Sequence, residues 1–280
     1  MNADREPATE ARFEFGANWA RFLSVLNDER IDDAVASLKK FLDVDDLHGQ
    51  RFLDIGSGSG LFSLAARNLG ATVTSFDFDP QSVACTQELK RRYFPDDESW
   101  RIEQGSALDR AYLESLGKFD VVYSWGVLHH TGAMWLGIEN AIGCVTSDNG
   151  KLFVAIYNDQ GWKSHIWWFI KLWYNRIPRI LKTPYVMIVA AVTQMLVILK
   201  YTIKLKPMVA IAPLLRDESE RGMSLRHDMV DWIGGFPYEF ATFKTLLDYF
   251  ESRGFSVITA NRKTSQGCHE LALKRVACAE

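Results

Sequence analysis

"FLDIGSGSGLF" (residues 52–62) is the stretch on which the fold turns. An apolar run ends in Asp54, Gly56, Gly58 and Gly60 follow at alternate positions, and a helical pattern begins at Leu61. Glycines so placed let the backbone bend sharply at a strand end and let a ligand come close to the main chain. The dinucleotide fingerprint G-x-G-x-x-G would put its third glycine at position 61, where leucine stands. The Lys-Ser/Thr of a triphosphate-binding loop is missing as well. The bland alternative is that the glycines form a tight turn and nothing more.

Outward from this turn, short apolar runs alternate with helical ones. "RFLDIG" (51–56), "TVTSFD" (72–77), "WRIEQGSA" (100–107), "FDVVYS" (119–124) and "GKLFVAIYN" (150–158) read as strands. Helical patterns cover 61–69, 80–92 and about 135–145. This rhythm predicts a doubly wound, mostly parallel α/β sheet of seven strands. "FATFKTLLDYFESRG" (240–254) predicts a helix ended by Gly254, followed by a closing pair of strands, "FSVITANRK" and "CHELALKR". Ahead of the sheet, Phe15, Trp19, Phe22, Leu23 and Leu26, then Ile31, Val35, Leu38 and Leu42, recur at helical spacing. The expected organisation is an N-terminal helical flap (1–48), a core (49–160), a helical insertion (161–238) and a closing segment that completes the core (239–280).

The glycine turn resembles the first motif of the class I S-adenosylmethionine (SAM)-dependent methyltransferases: a hydrophobic strand, an acid, then G-x-G-x-G. Asp77, at the end of the second strand, stands where that family holds the ribose hydroxyls, and "FDFDP" (76–80) matches its pattern there. A carboxylate at a strand tip can accept both hydroxyl protons. The alternative for Asp77 is a helix cap, although Asp79, just before Pro80, fits that role better. "EQGSALD" (103–109) matches the family's Gly-Asp-Ala with Ser106 in the acid's place, so Ser106 and Ala107 are the expected adenine neighbours. "FDVVYSWGVLHHTG" (119–132) resembles the fourth-strand segment and its histidine loop, and adds Ser124 to the expected cofactor set. The resemblance implies SAM as cofactor, bound by Asp54, Gly56, Gly58, Gly60, Asp77, Ser106, Ala107 and Ser124. It covers about residues 50–158, and more loosely 240–275.

Methyl transfer to a hydroxyl needs a base, because the proton must leave as the bond forms. His129 and His227 are the candidates, with His130 behind them; each also reads as a loop-closing hydrogen bonder. Tyr157, Asn158 and Trp232 are placed to line an acceptor pocket. No carboxylate cluster argues for a catalytic metal, although Asp159, Asp228 and Asp231 leave one open.

The insertion, "GWKSHIWWFIKLWYNRIPRILKTPYVMIVAAVTQMLVILKYTIKLK" (161–206), holds four of the nine tryptophans. Residues 160–216 carry nine Lys/Arg and no Asp/Glu, so the rest of the chain has 32 − 9 = 23 basic and 35 acidic residues, a balance of −12. On a helical wheel Ile166, Ile170, Trp173 and Ile177 share a face, with Lys171, Arg176, Arg179 and Lys182 mostly opposite. The pattern predicts a basic amphipathic helix, kinked at Pro178, that lies in a membrane interface. The apolar run 185–199 has 15 residues and spans roughly 22 Å, short of the ~30 Å bilayer core. Peripheral contact through 162–206 is therefore expected rather than a span. The alternatives are a soluble lid or a homodimer interface.

The ubiquinone-pathway O-methyltransferases resemble this chain in "ATVTSFD" (71–77) and in the histidine loop. There His130 aligns with the group's histidine, and His129 stands where the group has an acid. The resemblance implies a lipophilic phenol or quinol acceptor. The rivals are a soluble sugar or natural-product acceptor and a non-catalytic scaffold. The cysteines (Cys85, Cys144, Cys268, Cys278) lack zinc or disulfide spacing, which fits a reducing cytoplasm. The N-terminus has no apolar core of a signal peptide. Nucleic acid is not an expected partner, because the basic segment is interleaved with long aliphatic residues.

Overall fold

The computed structural model describes Leu23, residues 26–203, Leu205, Val230 and residues 232–276. The expected helix residues Phe15, Trp19 and Phe22, and the candidates His227, Asp228 and Asp231, lie outside the described residues. The chain divides into two compact units. The larger holds the described residues up to Ser164 and from Pro237 on, and the smaller is His165–Phe236.

In the larger unit, α1 (Asp28–Leu42) is followed by β1 (Arg51–Ile55), α2 (Leu61–Asn68), β2 (Thr72–Asp77), α3 (Pro80–Tyr93) and β3 (Trp100–Gln104). Then come α4 (Arg110–Leu116), β4 (Val121–Trp125), a 3-10 turn (Leu128–His130), α5 (Met134–Cys144) and β5 (Lys151–Tyr157). The strands form one seven-stranded sheet in the order β3-β2-β1-β4-β5-β7-β6, closed by β6 (Phe255–Asn261) and β7 (Cys268–Arg275). The first five strands run parallel, and β7 is antiparallel to both β5 and β6. The strand order reverses between β1 and β4, which makes their C-terminal ends the natural place for a ligand crevice.

Both sheet faces are covered, so the central strands are buried on both sides. Leu53, Ile55, Val122 and Val154 pack into one apolar layer with Ile138 and Phe250. Phe52, Val121, Tyr123 and Phe153 pack into the other with Leu38, Leu42 and Leu64. Helix starts follow capping chemistry. Asn27 accepts the Arg30 N–H ahead of α1, and Asp79 accepts the Gln81 N–H at 2.9 Å ahead of α3, whose first residue is Pro80.

The helix expected over 240–254 is shorter: α8 spans Phe243–Glu251. The Thr242 hydroxyl caps it by accepting the Thr245 N–H, so the helix cannot begin earlier. Ala241 instead extends the sheet, its N–H donating to Tyr157 O and its carbonyl accepting from the Asp159 N–H.

In the smaller unit the chain forms α6 (Trp162–Arg176), which begins just before the unit boundary, and α7 (Arg179–Ile203), separated at Pro178. α7 absorbs Pro184 and runs for 25 residues, well beyond the 15-residue apolar run. At 1.5 Å per residue it rises about 37 Å, so its length does not argue against crossing a bilayer.

Candidate active site

Gly56, Gly58 and Gly60 all take positive φ values of 76°, 56° and 82°, the left-handed region that glycine adopts without strain. Space restricts two of them further. A Cβ on Gly56 would lie 2.5 Å from the Val127 methyls, and one on Gly60 would lie 2.9 Å from Thr86 Cα. Gly56 therefore also allows the loop after β4 to seat against the glycine turn.

The turn is anchored from both sides. The Gly56 and Ser57 N–H groups donate to Phe76 O at 2.8 and 3.0 Å, which ties the turn to β2. The Gly58 N–H donates to Asp77 Oδ2 at 3.0 Å, and the Asp79 N–H to Asp77 Oδ1 at 2.9 Å. Asp77 thus faces the turn and holds it open. A carboxylate at this strand tip, beside a backbone turn open to a ligand, fits an adenosyl group.

Beneath the turn, Asp54 is buried. The Ser63 hydroxyl donates to its Oδ2 at 2.5 Å, Ser63 shares a 2.7 Å hydrogen bond with Ser75, and Trp100 Nε1 donates to Ser75 at 2.9 Å. This chain links β1, α2, β2 and β3. Burial pushes the Asp54 carboxyl up to about 7, against the Ser63 hydrogen bond and with a smaller push from Asp77. Asp54 therefore organises the turn from below.

Past β3, Gly105 gives its side-chain space to the Tyr112 ring. Ser106 Oγ accepts the Leu108 N–H at 3.2 Å within its own turn. The Ala107 carbonyl accepts from Asn140 Nδ2, which fixes this edge to α5. Ser124 is fully buried and donates to Ile55 O at 3.2 Å. It locks β4 to β1 and has no surface left for a ligand.

At the ends of β4 and β5 the rings gather. His129 lies 4.0 Å from Tyr157 and 4.5 Å from His130, centroid to centroid, and Tyr238 lies 5.1 Å from Tyr157. His130 Nδ1 sits 2.6 Å from Pro237 O. The Glu239 N–H donates to His129 O, and both Glu239 carboxylate oxygens accept the Met134 N–H at the start of α5. Burial raises the Glu239 carboxyl, opposed by the Met134 and Gly132 amides. Segment 237–241 thereby clamps the histidine loop.

Of the expected acceptor residues, His129 and Tyr157 come together in this cluster. Asn158 is buried, and its amide donates to Ser265 O at 3.0 Å, bracing the β6–β7 connection. Trp232 belongs to the smaller unit, where its ring lies 3.8 Å from Trp167. Tyr238 and Glu239 were missed. The aromatic run "FPYEF" (236–240) marked them, but nothing in it shows pairing with a loop a hundred residues earlier. Among the described residues no group of three or more His, Cys, Asp or Glu is placed to hold a metal.

A family model described as "Methyltransferase domain" matches residues 53–152. A ubiquinone biosynthesis O-methyltransferase of Xanthomonas oryzae pv. oryzae is 33% identical over 138 residues, which cover 49% of this chain and 52% of that protein. That of Azorhizobium caulinodans is 29% identical over 169 residues, 56% of this chain and 64% of that one. The chain thus spans about half the length of the curated relatives it matches. The crystal structure of magnesium protoporphyrin IX methyltransferase from Synechocystis PCC 6803 with bound SAH superposes with a TM-score of 0.53 at 14% identity, covering 93% of this chain and 96% of that one. At that identity the likeness speaks for the fold alone. Together with the glycine turn and Asp77, these matches establish that the chain carries a class I methyltransferase domain, of the kind that takes S-adenosylmethionine as its methyl donor.

Proposed function

We propose that the protein methylates an oxygen of a hydrophobic or amphiphilic small molecule, with a phenol- or quinol-like ring as the acceptor group, in the cytoplasm. SAM, when bound, supplies the methyl group. Asp77 holds the ribose, the glycine turn gives the backbone approach, and Asp54 keeps that turn in place.

The observation that carries the oxygen acceptor is the His130 contact with Pro237 O at 2.6 Å. A carbonyl only accepts, so Nδ1 carries the hydrogen and the neutral ring has its lone pair on Nε2. Proton uptake at Nε2 leaves an imidazolium that Pro237 O stabilises. The role of base therefore moves from His129 to His130, and the His129 ring packs on Tyr157 as part of the wall. The aromatic faces of Tyr157 and Tyr238 suit a flat acceptor ring. The O-methyltransferase relatives support the choice of atom.

The test is a transfer assay with labelled SAM against catechols and hydroquinones of increasing alkyl length and against soluble sugars. Methylation of the phenols, rising with tail length, is expected. Transfer to the sugars alone would refute the acceptor class, and no SAM binding in calorimetry would refute the enzyme.

A further inference from the structure

The α6–α7 hairpin buries a lysine and exposes many of its large apolar side chains. On α6, Trp162, Ile166, Phe169 and Trp173 are all exposed. At 100° per residue they fall within about 60° of one another. Opposite them Lys171 is 1% exposed, donating its ammonium to Trp232 O and lying 5.5 Å over the Trp232 ring. Asn175 donates to Lys171 O and Gly234 O, and the Tyr185 hydroxyl to Ile170 O.

α7 repeats the inversion over a longer run. Ile180, Met187, Ile188, Val192, Met195, Leu196, Leu199 and Ile203 are exposed, with Met187 at 66% and Ile203 at 75%. Their directions fill an arc of about 180°. Thr193 lies off that arc and donates back to Val189 O. α7 is the one described helix long and apolar enough to cross a membrane by length and composition. A continuous apolar face of this size is far larger than scattered surface leucines.

From this face we infer that the α6–α7 hairpin docks onto the surface of an anionic lipid bilayer, with both helices lying along it. Charge selects this occupant. Residues 160–216 carry nine Lys/Arg and no Asp/Glu, whereas the rest of the chain balances at −12. Anionic headgroups attract the first. A second copy meeting the same face would bring Arg176, Arg179 and Lys182 against their own kind, with no acid in the segment to pair them. Exposed Trp162 and Trp173 suit the headgroup boundary. A single crossing by α7 conflicts with the sheet. β5, before the hairpin, pairs residue for residue with β7, after it, from Lys151↔Lys274 to Tyr157↔Cys268. The chain therefore leaves and re-enters on one side.

The inference stands on the hairpin surface and is independent of the acceptor assignment. The full-length protein is floated with vesicles of pure phosphatidylcholine and of phosphatidylcholine mixed with phosphatidylglycerol. Flotation with the mixed vesicles, weakened by salt, is expected. Ile188→Glu with Met195→Glu should reduce bound protein at least about tenfold. Arg179→Gln with Lys182→Gln should remove the preference for anionic lipid while leaving the apolar face intact. SAM binding by calorimetry should be unchanged in both variants, which separates this outcome from failure of the methyltransferase reading. Wild-type protein that stays in the dense fraction with both vesicle types overturns the inference. So does a detergent-free dimer that the Ile188/Met195 variant dissociates while neither form floats.

Discussion

In the sheet unit Phe52, Leu53, Ile55, Val121 and Val122 are fully buried, and the charged group among them, Asp54, is held by Ser63. In the helical unit Lys171 is buried, and Met187, Ile188, Met195 and Leu196 face outward. The chemistry of burial is the same in both, because Asp54 and Lys171, each removed from water, both find a partner. What differs is the medium outside. The proposed docking onto lipid accounts for an apolar face that is left open. Composition blurs this, since both units are rich in aliphatic residues, and the contrast emerges only when direction is known.

The contrast can be broken or sharpened experimentally. The largest effect is expected at the sheet ends. His130→Asn should lower kcat about 10²–10⁴-fold with SAM affinity unchanged, and the acidic limb of its pH profile should disappear. His129→Asn should act mainly through KM. An equal loss in both variants would return the base to His129.

Next comes the buried carboxyl. Asp54 rises from its ordinary 3.8 to about 7, so the folded state binds its proton more tightly than the unfolded chain does. Stability contributed by this group is present at low pH and is lost as pH rises from about 4 to about 7, on the order of 4 kcal/mol in full. Asp54→Asn should remove that decline. Urea denaturation of both proteins across this range checks it, and parallel curves would contradict the assignment.

Gly60→Ala combines positive φ with a Cβ 2.9 Å from Thr86 Cα and should destabilise by roughly 2–3 kcal/mol and weaken SAM binding. Asp77→Asn should weaken SAM about tenfold or more, because the amide cannot accept from both the turn and the ribose on every side. Calorimetry reads both.

The smallest effect is expected in the helical unit. Lys171→Met keeps the stem packing and removes a buried charge, so stability should change by about 1 kcal/mol or less. A loss of several kcal/mol would mean that Lys171 holds the hairpin together and that the unit depends on a polar core as the sheet does.

Much of the sheet unit was legible because its signals are local. A glycine that must take positive φ, an acid at a strand tip and apolar runs of strand length are each set by neighbouring residues. Ser124 and Asn158, expected at the cofactor and the acceptor, are bonded to Ile55 O and Ser265 O, partners that no local sequence pattern shows. In the insert, the 15-residue apolar run understated α7, since helix length follows backbone bonding through Pro184 as well as hydropathy.

The amino-acid order by itself determined the α/β architecture, the bend after the first strand and the carboxylate at the second, because these depend on backbone conformation and short-range spacing. Only the tertiary structure decided which histidine meets the Pro237 carbonyl and which side of the hairpin faces outward. The first depends on Pro237, 107 residues from His130, and the second on the packing of Lys171 against Trp232. Long-range contacts such as these assign partners that no local pattern encodes.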